Sequence, residues 1–73
     1  MKRYTYTIHI EPAEEGGFVV TVPALPGCVT QGETYEEALE NIKDAIKLHI
    51  DARRDLGEYI PIETAIEEVE VYA

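Results

Sequence analysis

The chain has a single cysteine, Cys28, two histidines, His9 and His49, and only six lysines and arginines in 73 residues. Each scarcity removes a class of function. One cysteine cannot close an internal disulfide. His9 and His49 stand 40 positions apart with Cys28 the one thiol between them, so the spacing of a zinc cage is missing. Fifteen Asp and Glu against the six cations give a net charge of −9. Such a surface repels phosphate backbones, so no direct nucleic-acid binding is expected. It suits a basic protein partner, or serves solubility alone. No apolar run approaches the ~20 residues of a membrane span. The opening "MKRYTYTIHI" alternates polar and apolar residues and lacks the apolar core of a signal peptide. The expectation is a cytoplasmic protein with no membrane association.

Carboxylates are plentiful, yet stretches 4–10, 18–22 and 28–31 contain no Asp or Glu. A two-metal nuclease needs acids converging from several elements, and here they lie in loops, along a helix face and at Glu67, Glu68 and Glu70. A phosphate-binding G-x-x-x-x-G-K-[ST] loop is absent, as is a histidine pair of zinc-protease spacing. The reading is of a chain that is not an enzyme, with no catalytic residues, no metal site and no cofactor.

What is present describes one small domain. A chain this short buries only about 60% of its extended surface, and small domains commonly add a staple. With disulfide and metal set aside, association with another chain remains, and a homo-oligomer is expected. Tyr4, Tyr6, Ile8 and Ile10 alternate with Thr5, Thr7 and His9, the period of a half-buried strand. "EPAEEGG" then reads as a hairpin loop. "FVVTV" is a second strand that Pro23 ends. In "TVPALPGCVTQGET", Pro26-Gly27 suits the centre of a type II turn, and "CVTQ" is a third strand. Gly32 breaks it, and Thr34 with Glu37 forms a capping box. The stretch reverses one strand into the next and launches a helix, so its prolines and glycines are geometric.

The helix is predicted from Tyr35 to about Leu56, with Gly57 as its stop. Tyr35, Ala38, Leu39, Ile42, Ala45, Ile46 and Ile50 form its apolar stripe. Glu36, Glu40, Lys43, Asp44, Lys47, Asp51 and Arg54 lie opposite. Asp44 with Lys47, and Lys47 with Asp51, have ion-pair spacing. Leu48 points away from the stripe, as an ordinary exposed leucine or an interface contact. After "GEYIPIETA", "IEEVEVY" alternates again and is assigned a fourth strand. The order β-β-β-α-β is an α+β domain with three antiparallel strands. A right-handed crossover returns the fourth strand parallel. The helix covers one sheet face, leaving Thr5, Thr7, His9, Val19 and Thr21 on an open one. His49 falls within the stripe near the helix end, where its cation would suit the dipole. Cys28 lies on a strand without a cationic neighbour, a placement for a buried thiol rather than a nucleophile.

The segment Gly16–Ile46, "GGFVVTVPALPGCVTQGETYEEALENIKDAI", closely resembles the N-terminal domain of HicB-like antitoxins, formerly grouped as an uncharacterised protein family. G-F-V-V leads into P-A-L-P-G-C, then a G-E-T launch and an E-E-A-L-E-N helix. The resemblance covers about residues 4–60. It implies a partial RNase H-like fold without the nuclease's metal-binding acids. It also implies binding and neutralisation of a small basic mRNA-cleaving toxin of the HicA type. Family antitoxins commonly continue into a helix-turn-helix or ribbon-helix-helix that binds operator DNA. Residues 1–73 are read as the antitoxin domain alone, with no C-terminal DNA-binding domain, since Ala73 directly follows the fourth strand.

Two readings follow. In the first, the chain is a non-enzymatic antitoxin whose Glu36, Glu40 and Asp44 compete with RNA for a basic toxin surface, with His9 and Leu48 as further contacts. In the second, it is an orphan scaffold whose uncovered sheet pairs with a copy of itself.

Overall fold

Every element begins or ends at a residue whose local chemistry requires it. The computed structural model describes residues 3–63 and 69–72. Its elements are β1 (His9–Pro12), β2 (Phe18–Thr21), β3 (Val29–Gly32) and α1 (Tyr35–Asp55). The sheet runs β1-β2-β3 with both pairings antiparallel. It is a small α+β unit with the helix packed on one sheet face.

The turn between β2 and β3 follows the sequence reading. The Cys28 N–H donates to the Leu25 carbonyl at 3.0 Å across Pro26 and Gly27, and Gly27 has φ +86°. That is the positive φ a type II turn demands at its second central residue. Helix α1 opens on Thr34, whose hydroxyl accepts from the Glu37 N–H at 3.1 Å. The Glu37 carboxylate accepts from the Glu33 N–H at 3.0 Å, one residue earlier than a capping box places it. The helix closes in a Schellman motif: the Glu58 N–H reaches the Arg53 carbonyl and the Gly57 N–H reaches that of Arg54.

β1 sits later than the alternation predicts. Residues 3–10 keep alternating exposure, with Tyr4, Tyr6, Ile8 and Ile10 half-buried towards the helix, but the ladder starts at His9, opposite Thr21. Extended by two positions, that register would set Thr7 against Pro23, which has no N–H to donate. Beyond Thr21 the chain is already curling, the Leu25 N–H bonding the Val22 carbonyl at 3.0 Å. At its other end β1 gains Glu11 and Pro12, so one strand does carry a carboxylate.

The core is Val20, Val22, Leu25, Cys28, Ala38 and Ile42, flanked by Tyr6, Ile8, Ile10, Phe18, Ala45 and Ile46. Fully burying a side chain such as Leu25 or Ile42 contributes about 1.5–3 kcal/mol. Tyr35, placed in the stripe by its spacing, is half exposed and meets Phe18 edge-on, with centroids 6.1 Å apart.

Of the expected fourth strand, residues 66–68 lie outside the described residues, and 69–72 belong to no strand. Val69 and Val71 are each 80% exposed and Tyr72 is 92% exposed, so they have neither a ladder nor a buried face. The chain just before them does return to the start of the fold. The Tyr6 hydroxyl donates to the Pro61 carbonyl at 2.6 Å, and the Thr7 N–H donates to the Glu63 carboxylate at 2.6 Å.

Candidate partner-binding surface

Residues four apart on a helix stack into one row. On α1 and its C-cap, the row Glu36, Glu40, Asp44, Leu48, Ala52, Leu56 is exposed at every position. Its first half is three carboxylates, beginning in the first turn, where the helix dipole favours negative charge. Its second half is apolar: Leu48 is 70% exposed and Leu56 72%. Each step of four turns the row about 40° round the axis, so Glu36, Glu40 and Asp44 share one side of the helix and Leu48, Ala52 and Leu56 turn progressively away from it.

The structure thus joins four of the five residues singled out in the sequence, Glu36, Glu40, Asp44 and Leu48. It separates the fifth. His9 lies on β1 between Ile8 and Ile10, which face the helix, and so presents its ring on the opposite side of the sheet. There its Nε2 stands 2.6 Å from the Glu11 carboxylate. Ala52 and Leu56, which complete the ridge, were not singled out; stepping by four from Leu48 finds both.

Ion pairs differ from the expected ones. Glu40 pairs with Lys43 and Asp51 with Arg54, each at 3.7 Å, in place of the two pairs assigned to Lys47. All four groups are well exposed, and such pairs contribute about 0.2–1 kcal/mol. Cys28 is 4% exposed, and burial pushes its thiol pKa up. A thiol held protonated is a poor nucleophile. Among the described residues, no three His, Cys, Asp or Glu side chains gather as a metal would require. No helix among them is long and apolar enough to cross a membrane.

Along one flank of α1, a groove of about 1040 Å³ runs between the helix and the segment 3–8, and Lys43 in its lining is the partner of Glu40 on the ridge. Its floor is aliphatic, with Ile8, Ile46 and Ile50, and its rim includes Tyr4 and Tyr6.

A known family matches the chain over most of its length. The family described as HicB-like antitoxin of bacterial toxin-antitoxin system matches residues 6–72. The chain belongs to the HicB-like antitoxin family. A UPF0150 protein of Thermoplasma acidophilum is 52% identical over 68 residues, covering 93% of this chain and 97% of that one. Antitoxin HicB 1 of Photorhabdus laumondii is 40% identical over 62 residues, covering 85% of this chain and 40% of its own length. Antitoxin HicB of Escherichia coli is 40% identical over 57 residues, covering 78% and 41%. The chain therefore spans about two fifths of the length of these two named antitoxins.

Proposed function

We propose that this HicB-like chain is a non-enzymatic antitoxin domain that binds and neutralises a small basic mRNA-cleaving toxin of the HicA type. The observation that carries the reading is the ridge of α1. Three carboxylates in a row offer a basic ribonuclease the charge that RNA would offer it, and Leu48, Ala52 and Leu56 supply contact area that RNA does not. Family membership supports the toxin-binding role, as do relatives named as HicB antitoxins. The net charge of −9 adds long-range steering towards a cationic partner. The protein acts by occupying a surface, in the cytoplasm where such a toxin meets mRNA.

The fold that goes with this role is a partial RNase H-like sheet, completed by a fourth strand that runs parallel beside residues 4–8. The contacts of Pro61 and Glu63 with Tyr6 and Thr7 support that location by bringing the chain alongside.

The test uses the small basic product of the neighbouring reading frame. Titrating the wild-type chain into that ribonuclease abolishes RNA cleavage. The triple variant Glu36→Lys, Glu40→Lys, Asp44→Lys inhibits at least about 100-fold less well, with a flatter dependence on salt. A triple variant that inhibits like wild type moves the interface off this ridge. A chain that inhibits no small basic ribonuclease sinks the antitoxin reading.

A second reading, self-association, is favoured by the apolar groove and by Val69, Val71 and Tyr72 standing exposed in a 73-residue chain. It is compatible with the first, since an antitoxin that is a homo-oligomer presents its ridge more than once.

A further inference from the structure

The sheet has two outer edges, and a fourth strand beside residues 4–8 takes only one of them. The other is β3, at the end of the order β1-β2-β3. Its backbone register is fixed at the mouth of the turn, where the Val22 N–H donates to the Cys28 carbonyl at 3.2 Å. Antiparallel partners alternate between pairs that exchange backbone bonds and pairs that do not. Counting on from Val22 and Cys28, Val20 with Thr30 and Phe18 with Gly32 are the bonded pairs. Val29 and Gln31 therefore turn their N–H and carbonyl groups outwards.

Natural sheet edges are commonly guarded by charge, proline or a bulge. Residues 28–32 contain no charged residue and no proline, and β3 pairs with β2 without a bulge. The Val29 side chain is 56% exposed. Among the described residues, one group meets this edge from outside: the Asn41 side-chain amide, which donates to the Gln31 carbonyl at 2.8 Å. The Val29 N–H, the Val29 carbonyl and the Gln31 N–H are left facing water.

The same bond lays one flank of α1 along the edge. Leu48 follows Asn41 by two turns less about 20°, and Asp44 lies about 60° round from it. Both are exposed. The row that starts at Glu36 on the outer side of the helix winds towards this flank, so the surface already proposed for a partner continues from its carboxylates to the free edge of β3.

We propose that a basic protein partner docks by adding an extended strand of its own to the β3 edge. This deepens the toxin-binding reading and rests on it. The outward groups of Val29 and Gln31 bond the partner's main chain, which gives affinity, and the side chains on either side of the added strand give selectivity. On the helix side they meet Leu48 and Asp44, a setting for an apolar and a cationic residue two positions apart. On the other side they lie beside Val29. Asn41 already holds the Gln31 carbonyl, so pairing is strongest at Val29 and ends at Gln31.

Amide hydrogen exchange on the full chain, free and bound to the small basic product of the neighbouring reading frame, reads the edge without any substitution. The Val29 and Gln31 amides exchange rapidly in the free chain and at least about 100-fold more slowly in the complex. Val29→Pro gives a second readout: it removes one outward donor and obstructs the edge while leaving the bonds to β2 in place. It weakens inhibition of the ribonuclease by about tenfold or more. If the two amides stay unprotected while the ribonuclease is inhibited, the partner docks elsewhere; strand addition is overturned and the antitoxin reading stands. A Val29→Pro chain that melts and inhibits as wild type does overturns it equally. A chain that inhibits no small basic ribonuclease overturns both readings. Protection of the two amides in the free chain, rising with its concentration, gives the edge to a second copy and overturns the proposal.

Discussion

A Cβ built on Gly32 would stand 2.4 Å from the backbone nitrogen of Ala38, 2.8 Å from its Cα and 2.9 Å from the carbonyl carbon of Glu37. Helix α1 therefore lies against β3 backbone to backbone, and Asn41 reinforces the contact through a 2.8 Å bond from its side-chain amide to the Gln31 carbonyl. A methyl group here cannot be absorbed by a flexible side chain. Gly32→Ala should cost about 3 kcal/mol or more, at the upper end of overpacking effects. In a domain this size, that lowers Tm by more than about 12 °C. Gly27→Ala is the comparison: its positive φ is strained, but nothing lies within 4 Å of the added atom. Thermal melts should therefore rank Gly32→Ala well below Gly27→Ala; the reverse order would place the close approach elsewhere.

Thr34 satisfies one of the N–H groups that begin α1, through its 3.1 Å bond from Glu37. Thr34→Ala should destabilise the domain by about 0.5–2 kcal/mol, and Thr34→Ser or Thr34→Asp by much less, since each keeps an acceptor oxygen. Urea unfolding of the three variants measures the difference. Equal losses for Ala and Ser would show that the hydroxyl is not the group that matters.

The thiol of Cys28 lies among core residues with its pKa raised by burial. A disulfide reagent added to the native chain at neutral pH should modify it at least about 100-fold more slowly than in urea, at a rate set by opening of the fold. Rapid native labelling would mean that the thiol is presented to solvent, and the turn around Pro26 and Gly27 would need another explanation.

These sites were legible in the sequence to different degrees, for physical reasons. Turn, cap and helix stop depend on residues a few positions apart, so Pro26-Gly27, Thr34 with Glu37, and Gly57 announced themselves. The alternation of Tyr4, Tyr6, Ile8 and Ile10 gave the right inward face but the wrong ladder, because pairing depends on what stands opposite, and Pro23 stands there. The fourth strand was read from Val69 and Val71 alone, and a period of two records which residues share a face without saying that another chain covers it. The candidate surface divides in the same way. Glu36, Glu40, Asp44 and Leu48 share a row by spacing on one helix. His9 was grouped with them by chemistry, and only the packing of Ile8 and Ile10 shows that it faces elsewhere. The groove was not legible, since residues 3–8 lie 31 positions or more from Leu39 and the later helix residues that line its other side.

The Glu63 carboxylate accepts bonds from the Thr7 hydroxyl and N–H, which hold its pKa below the ordinary 4.5. A depressed carboxyl pKa means that the folded form favours the ionised acid. The tie between the chain's two ends is thus fully present above about pH 4.5 and is lost as pH falls through the lower folded value. The Thr7 amide resonance should report this as an acid-side titration step, and Glu63→Gln should remove the step while leaving the amides of β2 and β3 unmoved. A Thr7 amide that titrates identically in the Gln variant would assign the step to another group.

Leu48 and Leu56 pose the sharpest distinction between packing and recognition. Each is about 70% exposed, so little of either side chain is withdrawn from water when the domain folds. Leu48→Asp and Leu56→Asp should each change unfolding free energy by less than about 0.5 kcal/mol, the usual effect of a surface substitution. Against a bound partner the balance reverses. A carboxylate placed in the apolar half of the ridge would have to be desolvated against hydrocarbon, so the same variants should weaken toxin inhibition by about tenfold or more. They should leave its salt dependence intact, because Glu36, Glu40 and Asp44 remain. The charge variants of those three acids should show the opposite pair of effects, a large change in salt dependence with the apolar contact retained. Calorimetric titration of the two sets at two ionic strengths separates the halves of the ridge. If Leu48→Asp and Leu56→Asp bind as wild type does, α1 offers its partner charge alone, and the apolar half of the row is ordinary exposed surface.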